Sequence, residues 1–294
     1  MIEDNSHGHG GLYRNQLLGT FGDIGISSPR KSFPILNGGV QVTATGGHSS
    51  YHSFQVRLQQ RLSHGFTMLT AFSYGKSIDN GSGVRQQGGD SQNPSNDYNL
   101  KAERGLSSFD FRKRFTSTLL YNLPIGRGYA LLGNANRVMD TILGGWQAGA
   151  ILTLQDGFPL TPTCGSGAVQ NGGGSCYPDA TGVKPALDRG QQDPRRFFNT
   201  DAFVNRLPGA DFRFGTAGRN TIIGPGTIAL DFSAIKNFHI TERHVVEFRT
   251  EFFNLPNHPI FGLPGASPGT VSYGVISSTN VDSRQLQFGL KYSF

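Results

Sequence analysis

"RQLQFGLKYSF", residues 284–294, alternates without a break: Leu286, Phe288, Leu290, Tyr292 and Phe294 fall on one face, and Gln285, Gln287, Gly289, Lys291 and Ser293 on the other. A period of two marks a β-strand with one apolar side. That side needs an apolar neighbour, and the rest of the chain must say whether the neighbour is a protein core or a lipid.

The composition argues against a large core. Only 36% of the 294 residues are hydrophobic and 41 are glycine, which is polar for a chain with a big interior. The net charge is +6, but the cations are scattered, with short clusters only at Arg112-Lys113-Arg114 and Arg195-Arg196. No stripe for nucleic acid results, and no nucleic-acid partner is expected. Residues 1–11, MIEDNSHGHGG, have neither the basic start nor the apolar middle of a leader. The longest charge-free apolar stretch, 141–155, is broken by Gly144, Gly145 and Gly149 and falls short of the ~20 residues a spanning helix needs.

The alternation recurs. In YHSFQVRLQQRL (51–62), Phe54, Val56, Leu58 and Leu62 oppose Gln55, Arg57, Gln59 and Arg61; in FTMLTAFSY (66–74), Phe66, Met68, Thr70, Phe72 and Tyr74 share a face. Pairing Leu62 with Phe66 across the turn sets Val56 against Phe72 and Phe54 against Tyr74, so both apolar faces coincide, as a hairpin requires. Similar strands are predicted at 114–123, at 144–155 (Trp146, Ala148, Ala150, Leu152 and Leu154 on one side) and in a second hairpin, 227–240 with 244–254, that places Phe238 opposite Val246. With the terminal strand the total is seven, each about the 9–12 residues a tilted strand uses to cross a bilayer.

Connection lengths discriminate between fold classes. Segments 63–65, 124–140 and 241–243 are short or moderate, whereas 79–108, 157–226 and 255–282 are long and rich in Gly, Asn, Asp and Pro. A compact soluble domain avoids structureless loops of that size; an outer-membrane barrel has short periplasmic turns and long outer loops. The predicted fold is therefore all-β, an antiparallel transmembrane β-barrel segment, open and curved or a strained small barrel on its own. The apolar face meets outer-membrane lipid. Gln55, Arg57, Gln59, Arg61, Glu247, Arg249, Glu251 and Lys291 form a lumen-facing polar ladder, with Glu247, Arg249 and Glu251 neutralising one another in preference to gripping a substrate or plug. Gln60 and Lys236 fall on the lipid face near the periplasmic ends of their strands, where snorkelling is cheap.

Four stretches carry a family resemblance: SSYHSFQVRLQQRLSHGFTMLTAFSYGKSIDN (49–80), NLKAERGLSSFDFRKRFTSTLLYNLPIGRG (99–128), GGWQAGAILTLQDGFPLT (144–161) and GRNTIIGPGTIALDFSAIKNFHITERHVVEFRTEFFNLPNHPIFG (218–262). They resemble TonB-dependent outer-membrane receptors, especially the Oar-like group with carboxypeptidase-regulatory domains. Gln287, Gly289, Tyr292 and Phe294 match the polar-x-Gly-x-x-aromatic-x-aromatic ending read by the barrel-assembly machinery, the partner so implied. The resemblance implies a 22-stranded barrel filled by a plug that couples to the TonB system. On that reading this sequence is the carboxy-terminal third of a receptor: residues 49–294 form the barrel segment and residues 1–48 the remnant of an outer loop. The plug and most of the barrel are then absent, TonB acts only through the missing plug, and Met1 is an internal start or a break in the gene.

The implied function is energy-coupled uptake of a bulky nutrient, an oligosaccharide, peptide or chelate, with first contact at loops 79–108 and 157–226. The alternatives are a secreted or surface β-protein that binds glycans through its loops without transport, and a nonfunctional gene fragment. Enzyme activity and cofactors are not expected. No Ser, His and acid form a triad pattern; His7-x-His9 lacks a third metal ligand; His52 and His64 are placed at the membrane rim; and GSGAVQNGGG (165–174) lacks the ending and helix of a phosphate loop. Cys164 and Cys176 flank that loop without a CxxC spacing, and a disulfide is expected in preference to two free thiols.

Overall fold

The protein is seen here as a computed structural model, which describes residues 12–13, 16–17, 22–27, 41–63, 65–82, 94–96, 99–129, 131–165, 175–205 and 213–294. His7, His9, His64 and nearly all of the glycine-rich 165–174 segment lie outside the described residues.

Among the described residues, nine strands of six or more residues follow in order: β1 (Gly22–Ser27), β2 (Gln41–Gly47), β3 (Ser49–Ser63), β4 (Phe66–Asp79), β5 (Lys113–Asn122), β6 (Trp146–Gln155), β7 (Thr227–His239), β8 (Val245–Phe253) and β9 (Gln285–Ser293). β3 to β9 are the seven predicted strands. They pair antiparallel in chain order, β9-β8-β7-β6-β5-β4-β3. β1 and β2 form a separate hairpin just ahead of β3, within the stretch expected to be a loop remnant. The sheet is open: β3 and β9 do not pair with each other among the described residues. An odd number of antiparallel strands makes these two edges run the same way. Closure into an antiparallel barrel therefore takes an odd number of further strands, and in lipid both edges must be paired, because no water is there to satisfy them.

The register turns local alternation into two continuous faces. One rung runs Met68, Leu119, Ala150, Phe232, Phe252, Leu286; the next toward the periplasm runs Phe66, Tyr121, Ala148, Ala234, Thr250, Phe288. From the Tyr74 rung to the Trp146 rung the face spans five such two-residue steps. At ~3.3 Å per residue and a tilt of ~40° that is ~25 Å, the height of the apolar band of outer-membrane barrels. The rings of Tyr121, Trp146, Phe238, Phe248 and Tyr292 lie on its periplasmic rungs, as an aromatic girdle does. Of the hydroxyls that interrupt the face, Thr70 and Ser117 bond each other at 2.8 Å, which lowers their cost in an apolar setting, while Thr250 Oγ1 is buried without a hydrogen-bond partner.

Several details differ from the sequence reading. Phe54–Tyr74, Val56–Phe72 and Phe238–Val246 pair as expected, but Ser63 rather than Leu62 lies opposite Phe66. β3 carries one extra residue between Gln60 and Ser63, a bulge that takes Arg61 out of the ladder rungs. Gly65 at φ +78 completes the turn in the left-handed region that glycine enters freely. The 124–145 connection holds a short helix, α1 (Arg137–Leu143), where none was predicted: Asn136 caps it by accepting from Met139 N at 2.8 Å. No helix among the described residues is long and apolar enough to cross a membrane. Lys236 does not snorkel. It is 3% exposed, and its ammonium donates to the Gly144 carbonyl and lies 5.1 Å from the centre of the Phe238 ring. The connection bearing α1 supplies that carbonyl and covers the lysine where a bare turn would leave it in lipid.

Candidate functional site: an apical layer tied by Arg219

The described parts of the long outer loops are folded, contrary to the expectation of structureless connections. Pro159–Leu160 pairs with Ile222–Ile223, and Asp179–Ala180 with Phe203–Val204. Tyr177, Phe198, Ala202, Phe203, Ala217 and Ile222 form a buried core against which Leu160, Ala266 and Tyr273 pack, drawing in the third loop as well. Tyr273 stacks edge-on to Phe198 at 5.3 Å. Burial, and then the Asp201 carboxylate, push its phenol up to about 12, so it stays neutral at ordinary pH.

Below this core a buried polar knot joins the first two outer loops to the end of β4. Arg219, 3% exposed, is its centre. Its Nη2 donates to the carbonyl of Asp79 at 2.8 Å and to the Asp79 carboxylate, its Nη1 donates to Ser82 Oγ at 2.9 Å, and its Nε donates to the Glu103 carbonyl at 2.9 Å. Ser82 in turn donates to Asp79 and accepts from Ser108 N at 2.8 Å. The buried Glu103 carboxylate accepts from Ser95 N and from Tyr177 OH, both at 2.6 Å. A planar fork of five donors can bind a carboxylate and two carbonyls at once, which an ammonium could not do in that geometry. Asn220, next in sequence, adopts φ 55 and ties Leu106 O at 2.6 Å to Thr161 Oγ1 at 2.8 Å. Gly105 allows the approach: a Cβ there would lie 2.6 Å from the Arg219 carbonyl oxygen.

Between this layer and the outermost rungs of the apolar face lies a cavity of about 880 Å³. Phe72, Phe115, Leu154 and Ile228 line it from the sheet, and Phe197, Phe198 and Ile222 from the loops. Its ionisable lining is balanced, Arg112 and Lys113 against Asp110 and Asp156, with His258 nearby. Phe72, Phe115, Leu154 and Ile228 form a single rung of the lipid-facing side, so the cavity lies on that side of the wall, where the loops fold over the outermost rung.

The sequence-predicted residues are dispersed. Cys164 and Cys176 are disulfide-bonded, with 12 residues of separation, in the second outer loop. Cys164→Ser is expected to destabilise the apical layer by up to ~3 kcal/mol, seen as faster trypsin cleavage after Arg195 and Arg196. Cleavage at the wild-type rate would show that the bond constrains nothing. In the polar ladder, Arg249 pairs with Glu247 at 3.0 Å and Glu251 at 3.6 Å, Lys291 lies opposite Glu247, and Arg57 donates to Gln59 at 3.3 Å. Gln55 donates to Ser53 at 3.3 Å. Leu69, Leu120, Ile151 and Ile235 share this face and interrupt it. At the end of β9, the Tyr292 hydroxyl and His244 Nδ1 are 2.6 Å apart with their rings stacked, and Phe294 stacks on Tyr292 at 5.7 Å. Gln287 and Gly289 lie opposite Glu251 and Arg249. Arg219 was not singled out in the sequence; the signal was there, an isolated cation and an asparagine between glycine and an apolar run. Among the described residues no cluster of three or more His, Cys, Asp or Glu could hold a metal ion.

A tall antiparallel sheet with an exposed apolar face, an aromatic girdle, short turns on one side and folded long loops on the other defines the outer-membrane β-barrel class. The sequence model of the outer membrane beta barrel domain family matches residues 4–287, and the chain belongs to that family, which places it in the outer membrane. Neither the curated proteins nor the solved structures gave a match.

Proposed function

We propose that these strands belong to a TonB-dependent outer-membrane receptor of the Oar-like group, which takes up a bulky nutrient with energy from the inner membrane. Coupling runs through a plug domain outside these strands, and insertion through the barrel-assembly machinery. The observation that carries this reading is the apical layer. A passive anchor has no use for outer loops held together by a buried arginine that makes four hydrogen bonds, whereas a receptor that must capture a dilute ligand gains from contacts ordered in advance.

The test is uptake of labelled oligosaccharides and peptides by cells bearing the intact receptor, with and without a protonophore. Accumulation that the protonophore abolishes, with surface binding retained, is the expected result. Binding followed by no accumulation in either condition would replace transport by a surface glycan- or peptide-binding role.

A further inference from the structure

The connection between β5 and β6 carries an apolar surface that the barrel reading leaves unused. In α1, Val138 is 68% and Ile142 57% exposed, with Met139 and Leu143 beside them at 42% and 43%. The helical period agrees with the exposure. Asp140 is turned inward, accepting from Arg127 N at 2.7 Å, and at 100° per residue Val138 and Ile142 lie opposite it. The preceding turn adds Tyr129 and Leu131, more than half exposed. A seven-residue helix has little stability alone in water, and an exposed apolar patch on such a segment marks a contact surface.

Two hydrogen bonds say where this surface points. Trp146 and Lys236 are rung partners on the apolar face of the sheet. Trp146 Nε1 donates to Ile142 O at 3.0 Å, and Lys236 Nζ donates to Gly144 O. The carboxy-terminal end of α1 is therefore held on the side of the wall that meets lipid, outboard of the barrel and level with the periplasmic girdle. We infer that α1 lies in the periplasmic leaflet of the outer membrane, with Val138, Met139, Ile142 and Leu143 among the upper acyl chains. Arg127 and Arg137 reach the anionic headgroups, and the only acid of the connection, Asp140, is turned away from them. This is the arrangement of an interfacial amphipathic helix: cations at the rim, apolar residues below. Lys236 serves as the clamp, a buried cation on the lipid face that holds the helix down by the carbonyl of its C-cap, Gly144. The surface is continuous with the lipid-facing wall, and a periplasmic protein would meet it only by entering the bilayer.

Trp146 is the only tryptophan, which makes the test direct. The intact protein carrying Trp146→Phe and Val138→Trp is folded into vesicles of phosphatidylethanolamine and phosphatidylglycerol, some with brominated acyl chains. The new indole is expected to emit at short wavelength, to be quenched most by bromines near the headgroup end of the chain, and to resist iodide. Quenching by iodide and not by brominated lipid would overturn the inference. If that variant fails to insert, Val138→Asp with Ile142→Asp is read through native Trp146. Its emission should shift red and lose brominated-lipid quenching as the helix lifts, and an unchanged spectrum would equally overturn the inference.

Discussion

Replacing Arg219 by leucine is expected to release the first two outer loops from each other while the seven-stranded sheet stays inserted. Leucine removes the donors that Asp79, Ser82 and Glu103 use and leaves the Asp79 carboxylate, 4% exposed, without its cation. Breaking a buried ion pair from one side costs ~3–5 kcal/mol, since the remaining charge is uncompensated. The loss should be local: fast amide exchange across residues 99–110 and 213–223, with β5 to β8 unchanged, and loss of ligand capture at the cell surface. Arg219→Lys should recover only part, because one ammonium cannot reproduce the fork. The cycle has a further arm. Arg219→Leu combined with Asp79→Leu removes both charges and should be less destabilised than Arg219→Leu alone, since paired removal of buried ions is often nearly neutral. Additive losses, or protection of both loops in the single variant, would show that the knot does not hold the layer together.

The second large effect is expected at the chain's last strand. Changing Tyr292 to aspartate, or deleting Phe294, should strongly reduce folded receptor in purified outer membranes, whereas Lys291→Ser and Ser293→Ala should leave it near the wild-type level. Tyr292 stands on the periplasmic rung opposite Val246 and packs flat on His244. Aspartate there loses the ring's apolar contact, on the order of 2 kcal/mol, and adds a charge at the membrane boundary, while Lys291 and Ser293 occupy the polar face. Tyr292→Phe separates two contributions: it keeps the stack and loses only the bond to His244, so it should assemble better than the aspartate variant. Equal losses on both faces would mean that the alternation does not mark lipid.

Much of the architecture was legible because a strand's period is written in neighbouring residues. Phe54, Val56 and Leu58 against Gln55, Arg57 and Gln59 fix a strand and its faces without reference to anything distant, and the coincidence of two such faces fixes a hairpin register to within the bulge near Ser63. Seven strands, the two hairpins among them and the inequality of their connections were all local properties, and they sufficed for the fold class. The sequence was also enough to place an arginine between two glutamates along β8, because i and i+2 of a strand share a face.

What only the tertiary structure decided has no period. Arg219 meets Asp79 across 140 positions and Glu103 across 116, through loops whose glycines, prolines and asparagines state that the chain turns but not what it turns toward. Lys236 looked like a snorkelling lysine because its own strand says only which face it occupies; that the 124–145 connection folds back to supply a carbonyl depends on Gly144 and Trp146 arriving from another strand. Strand periodicity is set within a few residues by backbone geometry. The partner of a buried charge is set by which remote segment can desolvate and satisfy it together with its neighbours, and that is decided only when the segments pack.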